Sequence, residues 1–345
     1  ESSNSFYYTI LASIFLIITF YLIPYAVNIS SKFFKKKEVV INTSNKNFNR
    51  VLEGKEIDLE KNNENDEVNY KELFLDIFEF DINEKDTVRL SASTLNQLFK
   101  DENYNLKDIR KNKLVKPINI DLLPNEIRAI ENVKKRKELF IQIVLPLILE
   151  ENNKILLDRK KLFAILNKNN NSKSDNNWIN KKFKQYGVTT KDIPTLKRRM
   201  DIIPPSMAIA QAAKETGWGT SRFALEGNAL FGQWTWSGEG LKPKESEKNE
   251  GHKVMKFNVL QASVRAYQRN LNTHSSYIDF RKARAKLRDQ GRELDSLILS
   301  EFLDEYAETG DKYVEVLQKI IQQNNLKDFD DAKLLPSSIE LESLI

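Results

Sequence analysis

A glutamate near the end of an alanine-rich stretch is the residue best suited to catalysis. Glu215 lies in the stretch Ser206 to Thr216, whose content of Ala, Met, Ile and Gln favours helix. Pro204-Pro205 suits the start of that helix, and Gly217 suits the position just past its end. In the last turn the helix macrodipole disfavours a carboxylate, and Trp218 nearby would add desolvation. Both effects raise the pKa of a carboxyl group, as a general acid that cleaves a glycosidic bond requires. The alternative is a solvated glutamate that happens to end a helix.

The composition excludes several other kinds of chemistry. The chain has 345 residues, of which 40% are hydrophobic and 30% charged, with a net charge of +5 and no Cys. Disulfides, thiolate catalysis and Cys-based zinc sites are therefore excluded. His252 and His274 are the two histidines of the sequence, too few for a His-rich metal cluster. The basic residues form no long run interleaved with aromatic side chains, so nucleic acid is not an expected partner. We expect neither a metal nor a cofactor.

The N-terminal segment is predicted to be a transmembrane anchor. Residues 6–29, from Phe6 to Ile29, include no charged residue and are mostly Ile, Leu, Phe, Tyr and Ala. About 20 apolar residues suffice to cross the hydrocarbon core of a bilayer as a helix. No small-residue cleavage site precedes the following charges, which favours an uncleaved anchor over a removed signal peptide. A buried core helix is the alternative.

The charges after this segment conflict with an exported catalytic domain. The positive-inside rule would place Lys32, Lys35, Lys36 and Lys37 in the cytoplasm. A glycosidase that acts on the cell wall would instead need its body in the periplasm. We expect the periplasmic orientation, and a cytoplasmic body remains the alternative.

A linker and a helical extension are predicted between the anchor and the catalytic region. Residues 38–70 are polar and poor in aromatics, which is typical of a tether. Within the extension, residues 71–170, Leu90 to Phe99 has the pattern of a capped helix. Apolar residues recur at helical spacing from Glu138 to Asn167, and Pro146 should kink that helix or mark a boundary within it.

The catalytic domain is predicted over residues 178–326. Residues 167–177 look like a solvated loop before it, and residues 327–345 like a weakly structured tail after it. Gln233 to Trp236 and His252 to Phe257 alternate in character and are predicted to form the two arms of a β-hairpin. Besides the helix that carries Glu215, further helices are predicted at Trp178–Tyr186, Ile193–Arg199, Val259–Thr273, Tyr277–Asp289, Leu294–Glu305 and Lys312–Asn324.

Several motifs, in order along the chain, resemble those of a known enzyme family. Ala210 to Ser221 is similar to the active-site helix of the bacterial peptidoglycan glucosaminidases of glycoside hydrolase family 73. Asn228 to Gly232 resembles the segment that follows this helix, and Tyr306 to Tyr313 resembles the tyrosine-bearing motif of the family. A closer match, to the Bax-like glucosaminidases, rests on four segments: Phe140–Leu149, Gln233–Trp236, Asn270–His274, and Phe280-Arg281 with Arg284. The resemblance covers roughly residues 90–326.

The resemblance implies both a fold and a reaction. The fold would be α+β and mostly helical: a lysozyme-like catalytic domain with a small β-hairpin lobe, after the helical extension and transmembrane helix. The reaction would be hydrolysis of the β-1,4 bond between N-acetylglucosamine and N-acetylmuramic acid in peptidoglycan. Glu215 would be the general acid, and Tyr306 would lie across the cleft and position the substrate or the carboxyl. The predicted substrate-binding residues are Trp234, Trp236, Tyr313, Asn228 and Phe231. The alternative for the two tryptophans is core packing of a small hairpin.

The second catalytic group is the open point of this interpretation. Inverting glycosidases need a second carboxylate about 6.5–9.5 Å from the acid, and retaining ones about 5–5.5 Å. Glu239, in the hairpin loop, is the first candidate, followed by Glu245, Glu247 and Glu250, although all four could be solvated loop charges. The acetamido group of the substrate could serve instead, or a lytic transglycosylase could use Glu215 alone. An inactive wall-binding or scaffold protein is the non-enzymatic alternative.

Two other groups of residues are given structural roles. His274 is expected to be a hydrogen-bonded structural residue. The basic residues of the stretch Arg281 to Arg288 are expected to form one solvated helix face. The function predicted from the sequence is thus a peptidoglycan hydrolase anchored in the bacterial inner membrane, with its catalytic domain in the periplasm.

Overall fold

The computed structural model describes residues 73–83, 87–235, 240–241, 253–307 and 309–336. They all belong to the unit Asp58–Ile345, one of two into which the chain divides. The predicted anchor at 6–29 and linker at 38–70 lie outside the described residues. Among the residues that are described, no helix is both long and apolar enough to cross a membrane.

Helices dominate the described part of the chain. The α-helices are α1 Leu75–Asn83, α2 Ala92–Asp101, α3 Leu106–Asn112, α4 Val133–Leu166, α5 Lys173–Gln185, α6 Ile193–Arg199, α7 Pro205–Thr216, α8 Arg222–Gly227, α9 Leu260–Thr273, α10 Ile278–Asp289, α11 Ser296–Ser300 and α12 Asp311–Gln323. Short 3-10 helices span Asn125–Ala129, Ser275–Tyr277, Asp304–Tyr306 and Leu326–Phe329. The strands are β1 Leu114–Val115, β2 Trp234–Thr235, β3 Gly240–Leu241, β4 Lys253–Met255 and β5 Lys333–Leu334.

The long helix α4 continues through Pro146. Proline has no backbone N–H, so the carbonyl of Gln142, four residues earlier, loses its helical donor. The hydroxyl of Tyr104 takes the place of that donor and donates to the Gln142 carbonyl at 3.0 Å. The Gln142 side chain in turn donates to the carbonyl of Tyr104 at 2.9 Å. This exchange satisfies the backbone at the proline, where the sequence alone predicted a kink or a helix end.

We therefore expect Tyr104→Phe to lower the free energy of unfolding by about 1–3 kcal/mol, because a buried carbonyl loses its donor. Tyr104 is only 3% exposed, so water cannot readily replace the hydroxyl. Urea denaturation measures the change. Gln97→Ala is the control, since it removes an exposed hydrogen bond to Asp101 and should cost much less. Equal losses in the two variants would contradict this account of α4.

The predicted extension and the predicted catalytic domain share one hydrophobic core. That core joins buried residues of α2 and the first half of α4 to those of α7, α9 and α12. Helix α7 lies within it, with every residue from Pro205 to Ala213 buried. A second cluster joins the rest of α4 to α5 and α6. The extension therefore forms part of the body that holds α7 in place.

Helix α1 contributes to the position of α9. Its apolar side packs on Val259, Ala262 and Ala266. The carboxylate of Asp81 accepts hydrogen bonds from the backbone N–H groups of Asn258 and Val259, just before α9 begins. A carboxylate at a helix N-terminus satisfies N–H groups that have no partner within the helix.

The predicted hairpin arms pair as expected, but the sheet has a third strand. Strands β2 and β4 are antiparallel, with Trp234 opposite Val254. Strand β3 pairs antiparallel with the other edge of β4, with Leu241 also opposite Val254. The order is therefore β2-β4-β3. The loop between the predicted arms thus supplies a strand, which its Gly and Lys content did not indicate.

Two segments predicted to be irregular are more ordered than expected. Helix α5 begins at Lys173, inside the predicted loop 167–177, because Ser172 and Asp175 form a capping box. The described part of the predicted tail, residues 327–336, is packed rather than loose: Phe329 and Ala332 are buried, and β5 pairs in parallel with β1. Conversely, the helix predicted at Leu294–Glu305 covers only the residues of α11, and the 3-10 helix Asp304–Tyr306 follows it.

The basic stretch on α10 is not one solvated face. Arg281 and Arg284 are 0% and 1% exposed. Arg281 donates to the carbonyls of Leu271 and His274. Arg284 lies near the buried carboxylate of Asp201, in the connection between α6 and α7. These arginines therefore hold segments of the core together.

Candidate active site

Helix α7 presents Glu215 in its last turn, as the sequence predicted. The helix has proline at its first residue and ends at Thr216, followed by Gly217, which adopts a left-handed φ of 58°. Glu215 is half-buried. Gly232 also has a positive φ, of 61°, and a Cβ atom built on it would lie 3.2 Å from Oε2 of Glu215. Glycine at this position therefore lets the backbone approach the carboxyl closely.

Burial is the main influence on the Glu215 carboxyl. It raises the pKa of Glu215 above its ordinary value, against the smaller opposing effects of a Tyr313 hydrogen bond and the charge of Lys214. The direction agrees with the sequence prediction. The ring of Trp218, which was expected to contribute, packs edge-to-face on Phe140 of α4 at 5.9 Å. Lys137 lies over the same ring at 4.7 Å.

Three tyrosines form the surroundings of the carboxyl. Tyr306 and Tyr313 are stacked with ring centroids 5.4 Å apart, and Tyr277 lies 6.0 Å from Tyr306. Burial is the main cause that raises the pKa of each of these hydroxyls, and the charge of Glu215 also raises it; for Tyr277 the pKa is about 12. The hydroxyls therefore remain neutral at physiological pH.

The hydroxyl of Tyr306 forms a hydrogen bond within the protein. It donates to the carbonyl of Phe231 at 2.9 Å. Because Phe231 immediately precedes Gly232, this bond ties the backbone beside Glu215 to the 3-10 helix Asp304–Tyr306. The role of Tyr306 in positioning the substrate or the carboxyl stays a prediction.

Three of the predicted sugar-binding side chains lie within the wall of the site. Phe231 is 1% exposed and stacks on Tyr267 at 3.8 Å. Asn228 is buried and donates to the carbonyls of Phe257 and Asn258. Tyr313 is 1% exposed. Direct sugar contact does not fit such burial, so these side chains support the site from behind.

The structure does not describe the position of any of the predicted second carboxylates. Trp236, Glu239, Glu245, Glu247 and Glu250 lie outside the described residues. For Trp234 the structure describes the backbone pairing only, within β2. The roles of these residues remain predictions.

Gln211 and Tyr267 are site residues that sequence reasoning missed. Gln211 is fully buried on α7, and Tyr267 is fully buried on α9. The hydroxyl of Tyr267 donates to Oε1 of Gln211 at 2.6 Å, and Nε2 of Gln211 donates to the hydroxyl of Tyr313 at 3.2 Å. One signal was available: Gln211 is a polar residue in an alanine-rich helix, one turn before Glu215 and on the same face.

His274 has a structural role, as expected. Its Nδ1 accepts a hydrogen bond from the backbone N–H of Ser276, at the start of the 3-10 helix Ser275–Tyr277. Burial lowers the pKa of the imidazole, and the nearby charge of Arg281 lowers it further. A neutral imidazole suits this capping contact, because only an unprotonated Nδ1 can accept.

A half-buried carboxyl of raised pKa suits the general acid of a glycoside hydrolase. Comparison with known proteins agrees. Residues 190–326 match the Glucosaminidase family, described as mannosyl-glycoprotein endo-β-N-acetylglucosaminidase. The chain is 33% identical over 205 residues to Protein bax of Escherichia coli (strain K12), covering 58% of this chain and 73% of that protein. The chain belongs to this glucosaminidase family and is a glycoside hydrolase with a lysozyme-like catalytic domain.

A solved structure is also similar in part. The catalytic domain of the autolysin Auto from Listeria monocytogenes aligns with 21% sequence identity and a TM-score of 0.29. The alignment covers 50% of this chain and 97% of that domain.

Proposed function

We propose that this protein hydrolyses the β-1,4 bond between N-acetylglucosamine and N-acetylmuramic acid in peptidoglycan, with Glu215 as the general acid. The observation that carries the proposal is the environment of Glu215. Its carboxyl is half-buried beside Gly232 and the neutral hydroxyl of Tyr313, and burial raises its pKa. The family description adds the sugar, because it names N-acetylglucosamine as the residue whose linkage is cleaved.

The protonated carboxyl would act on the leaving group. Glu215 would donate its proton to the glycosidic oxygen as the bond from that oxygen to C1 breaks, and positive charge would develop on the sugar ring. The resulting carboxylate would accept the hydrogen bond of Tyr313. Glu239 is the proposed second group: it would activate water, or attack C1 directly if it lies closer. The acetamido group of the substrate would take over that role if Glu239 does not.

Tyr306 would act as a positioning residue. By donating to the carbonyl of Phe231, it holds the neighbouring Gly232 against the carboxyl of Glu215. Trp234 and Trp236 are proposed as stacking surfaces for sugar rings, since pyranose C–H faces pack well on aromatic rings. Peptidoglycan strands are the proposed partner.

Analysis of the reaction products tests the proposal. Purified peptidoglycan is digested with the protein, and the new chain ends are identified by mass spectrometry. We expect reducing N-acetylglucosamine ends. Reducing N-acetylmuramic acid ends would contradict the proposed bond, and anhydro-N-acetylmuramic acid ends would indicate a lytic transglycosylase. Binding without any product would indicate an inactive wall-binding protein.

We further propose that residues 6–29 anchor the protein in the inner membrane, with the catalytic domain in the periplasm. The apolar length of the segment supports the anchor, and the location of peptidoglycan supports the orientation. A reporter active only in the periplasm, fused after Ile345, should be active in cells. Activity of a cytoplasm-specific reporter alone would overturn the orientation.

A further inference from the structure

A chain of buried hydrogen bonds ends at the carboxyl of Glu215. The Tyr267 hydroxyl is 2.6 Å from Oε1 of Gln211, and Nε2 of Gln211 is 3.2 Å from the Tyr313 hydroxyl. The Tyr313 hydroxyl lies beside the Glu215 side chain and, as a hydrogen-bonding group, lowers the pKa of that carboxyl against the larger effect of burial. Tyr267, Gln211 and Tyr313 are all at most 1% exposed. Water is therefore kept away from three of the four groups.

The chemistry of the amide group fixes the direction of both hydrogen bonds to Gln211. The amide oxygen of Gln211 can only accept, so Tyr267 must donate to it. The amide nitrogen can only donate, so the oxygen of Tyr313 accepts from it. Each hydroxyl has a single proton. The proton of Tyr313 is then free to point toward Glu215, whereas the opposite orientation of the amide would draw that proton toward Gln211.

The distances support this orientation of the amide. A separation of 2.6 Å is short for an N–H donor but ordinary for a hydroxyl donating to oxygen. A separation of 3.2 Å is at the long end for N–H donating to oxygen and outside the usual range for a hydroxyl donor. The reversed amide would assign each distance to the less suitable kind of bond.

We propose that Gln211 is a positioning residue that directs the hydroxyl proton of Tyr313 onto the carboxylate of Glu215, with Tyr267 holding the amide in the required orientation. This inference rests on the proposed role of Glu215 as the general acid. The aligned hydroxyl receives the negative charge that forms when the acid gives up its proton, without having to reorient during the reaction.

The same arrangement protects the proton of the acid. A protonated Glu215 could donate to the oxygen of Tyr313 if that oxygen were a free acceptor. Nε2 of Gln211 already donates to that oxygen, and the hydroxyl proton of Tyr313 points toward Glu215. The acidic proton is therefore left for the glycosidic oxygen. In energetic terms, burial raises the pKa of Glu215 and the Tyr313 hydrogen bond limits that rise.

The test is the pH dependence of kcat/KM on soluble peptidoglycan strands, whose alkaline limb reports the general acid of the free enzyme. Removing a donor from the carboxylate raises its pKa, so the limb should move to higher pH. We expect a shift of roughly one to two pH units for Tyr313→Phe, since a hydrogen bond to a charged group is lost. Gln211→Met should shift it by roughly half to one unit, and Tyr267→Phe by less, in the same direction.

The double variant Gln211→Met with Tyr313→Phe is the decisive comparison. If Gln211 acts only through Tyr313, its limb should coincide with that of Tyr313→Phe alone. Additive shifts, or an unmoved limb in Gln211→Met and in Tyr267→Phe, would overturn the proposal. Tyr267→Phe retains the ring that stacks on Phe231 and so guards against misfolding of the other variants.

Gln268→Met is the matched control. Gln268 is also a buried glutamine, 2% exposed, and it donates to Asn152 away from the carboxyl. We expect it to lower the melting temperature and leave the alkaline limb in place. Failure of the general-acid assignment itself would look different: the wild type would have no limb that depends on Glu215, and Glu215→Gln would retain activity.

Discussion

Glu215→Gln is expected to lower the rate of peptidoglycan cleavage by about 10²–10⁴-fold, the range that a general acid contributes. The amide has nearly the shape of the carboxyl and fits beside Gly232, but it cannot supply an acidic proton to the leaving oxygen. The fold should be retained, because burial of Glu215 makes the charged carboxylate a cost rather than a source of stability. Release of soluble fragments and the thermal unfolding curve measure the two expectations.

Glu226→Gln is the matched control for that experiment. Glu226 lies on the next helix, α8, is exposed, and forms a surface ion pair with Arg222 at 3.6 Å. Its replacement should leave cleavage within a small factor of the wild type. A Glu215→Gln variant that retains a comparable rate would remove Glu215 from the mechanism.

Asp201→Asn is expected to produce the largest loss of stability, about 3–5 kcal/mol, because it leaves the buried Arg284 and the partly buried Arg159 and Arg288 without their counter-charge. Asp201 is 2% exposed. Its carboxylate accepts from Arg288 at 3.0 and 3.1 Å and lies 3.7 Å from Arg159. Burial lowers the pKa of Arg284 to about 10, and the charge of Asp201 is the main effect that opposes this. Chemical denaturation at neutral pH measures the difference.

The same variant makes a prediction about pH. Burial alone would raise the pKa of Asp201, but the arginines together hold it below its ordinary value. The stabilisation by this carboxylate is then present above an unfolded pKa of about 3.9 and is lost as pH falls through the folded pKa. The wild type and Asp201→Asn should therefore converge in stability in strong acid. A constant difference down to that pH would contradict the ion-pair account.

Glu315→Gln provides the comparison for an exposed pair. Glu315 lies 3.8 Å from Lys319, and both side chains are about two-thirds exposed (66% and 65%). Exposed pairs of this kind contribute at most about 1 kcal/mol. If Glu315→Gln lowered the free energy of unfolding as much as Asp201→Asn, the burial of the charges would not explain the effect of Asp201.

Local patterns predicted the elements that carry the site. Alanine content, the flanking proline and Gly217 were sufficient to place α7 and to put Glu215 in its last turn. Alternation of residue types was sufficient to pair the arms of the hairpin. Each signal lies within or directly beside the helix or strand that it predicts, so no tertiary information was needed.

The failed predictions concern contacts between residues far apart in the sequence. The sequence predicted that Arg284 would be solvated. The carbonyls to which it donates belong to residues 198–202, more than 80 residues earlier, so no local pattern could indicate its burial. The helix break predicted at Pro146 depends on whether the freed carbonyl finds a donor, and that donor is Tyr104, 38 residues earlier than Gln142. Phe329 lies in the segment predicted to be a loose tail, but its side chain is buried, and β5 just after it pairs with β1.

Within the site, the sequence predicted the position of Glu215 but not the buried residues that form hydrogen bonds behind it. Tyr313 was expected to stack on a sugar, but its ring is buried and its hydroxyl contacts Glu215. The hydrogen bonds that connect Gln211 to Tyr267 and Tyr313 span 56 and 102 residues. No spacing rule covers such separations, and their geometry depends on how α7, α9 and α12 pack together.

The most direct test of the general-acid assignment is the pKa of Glu215 in the folded protein. Infrared difference spectra between the wild type and Glu215→Gln, recorded across pH, isolate the titration of this one carboxyl. We predict a midpoint above the ordinary value of about 4.3 for glutamate, because burial of the side chain favours the protonated form. A midpoint at or below the ordinary value would mean that Glu215 is ionised when the substrate arrives, and would contradict its role as the general acid.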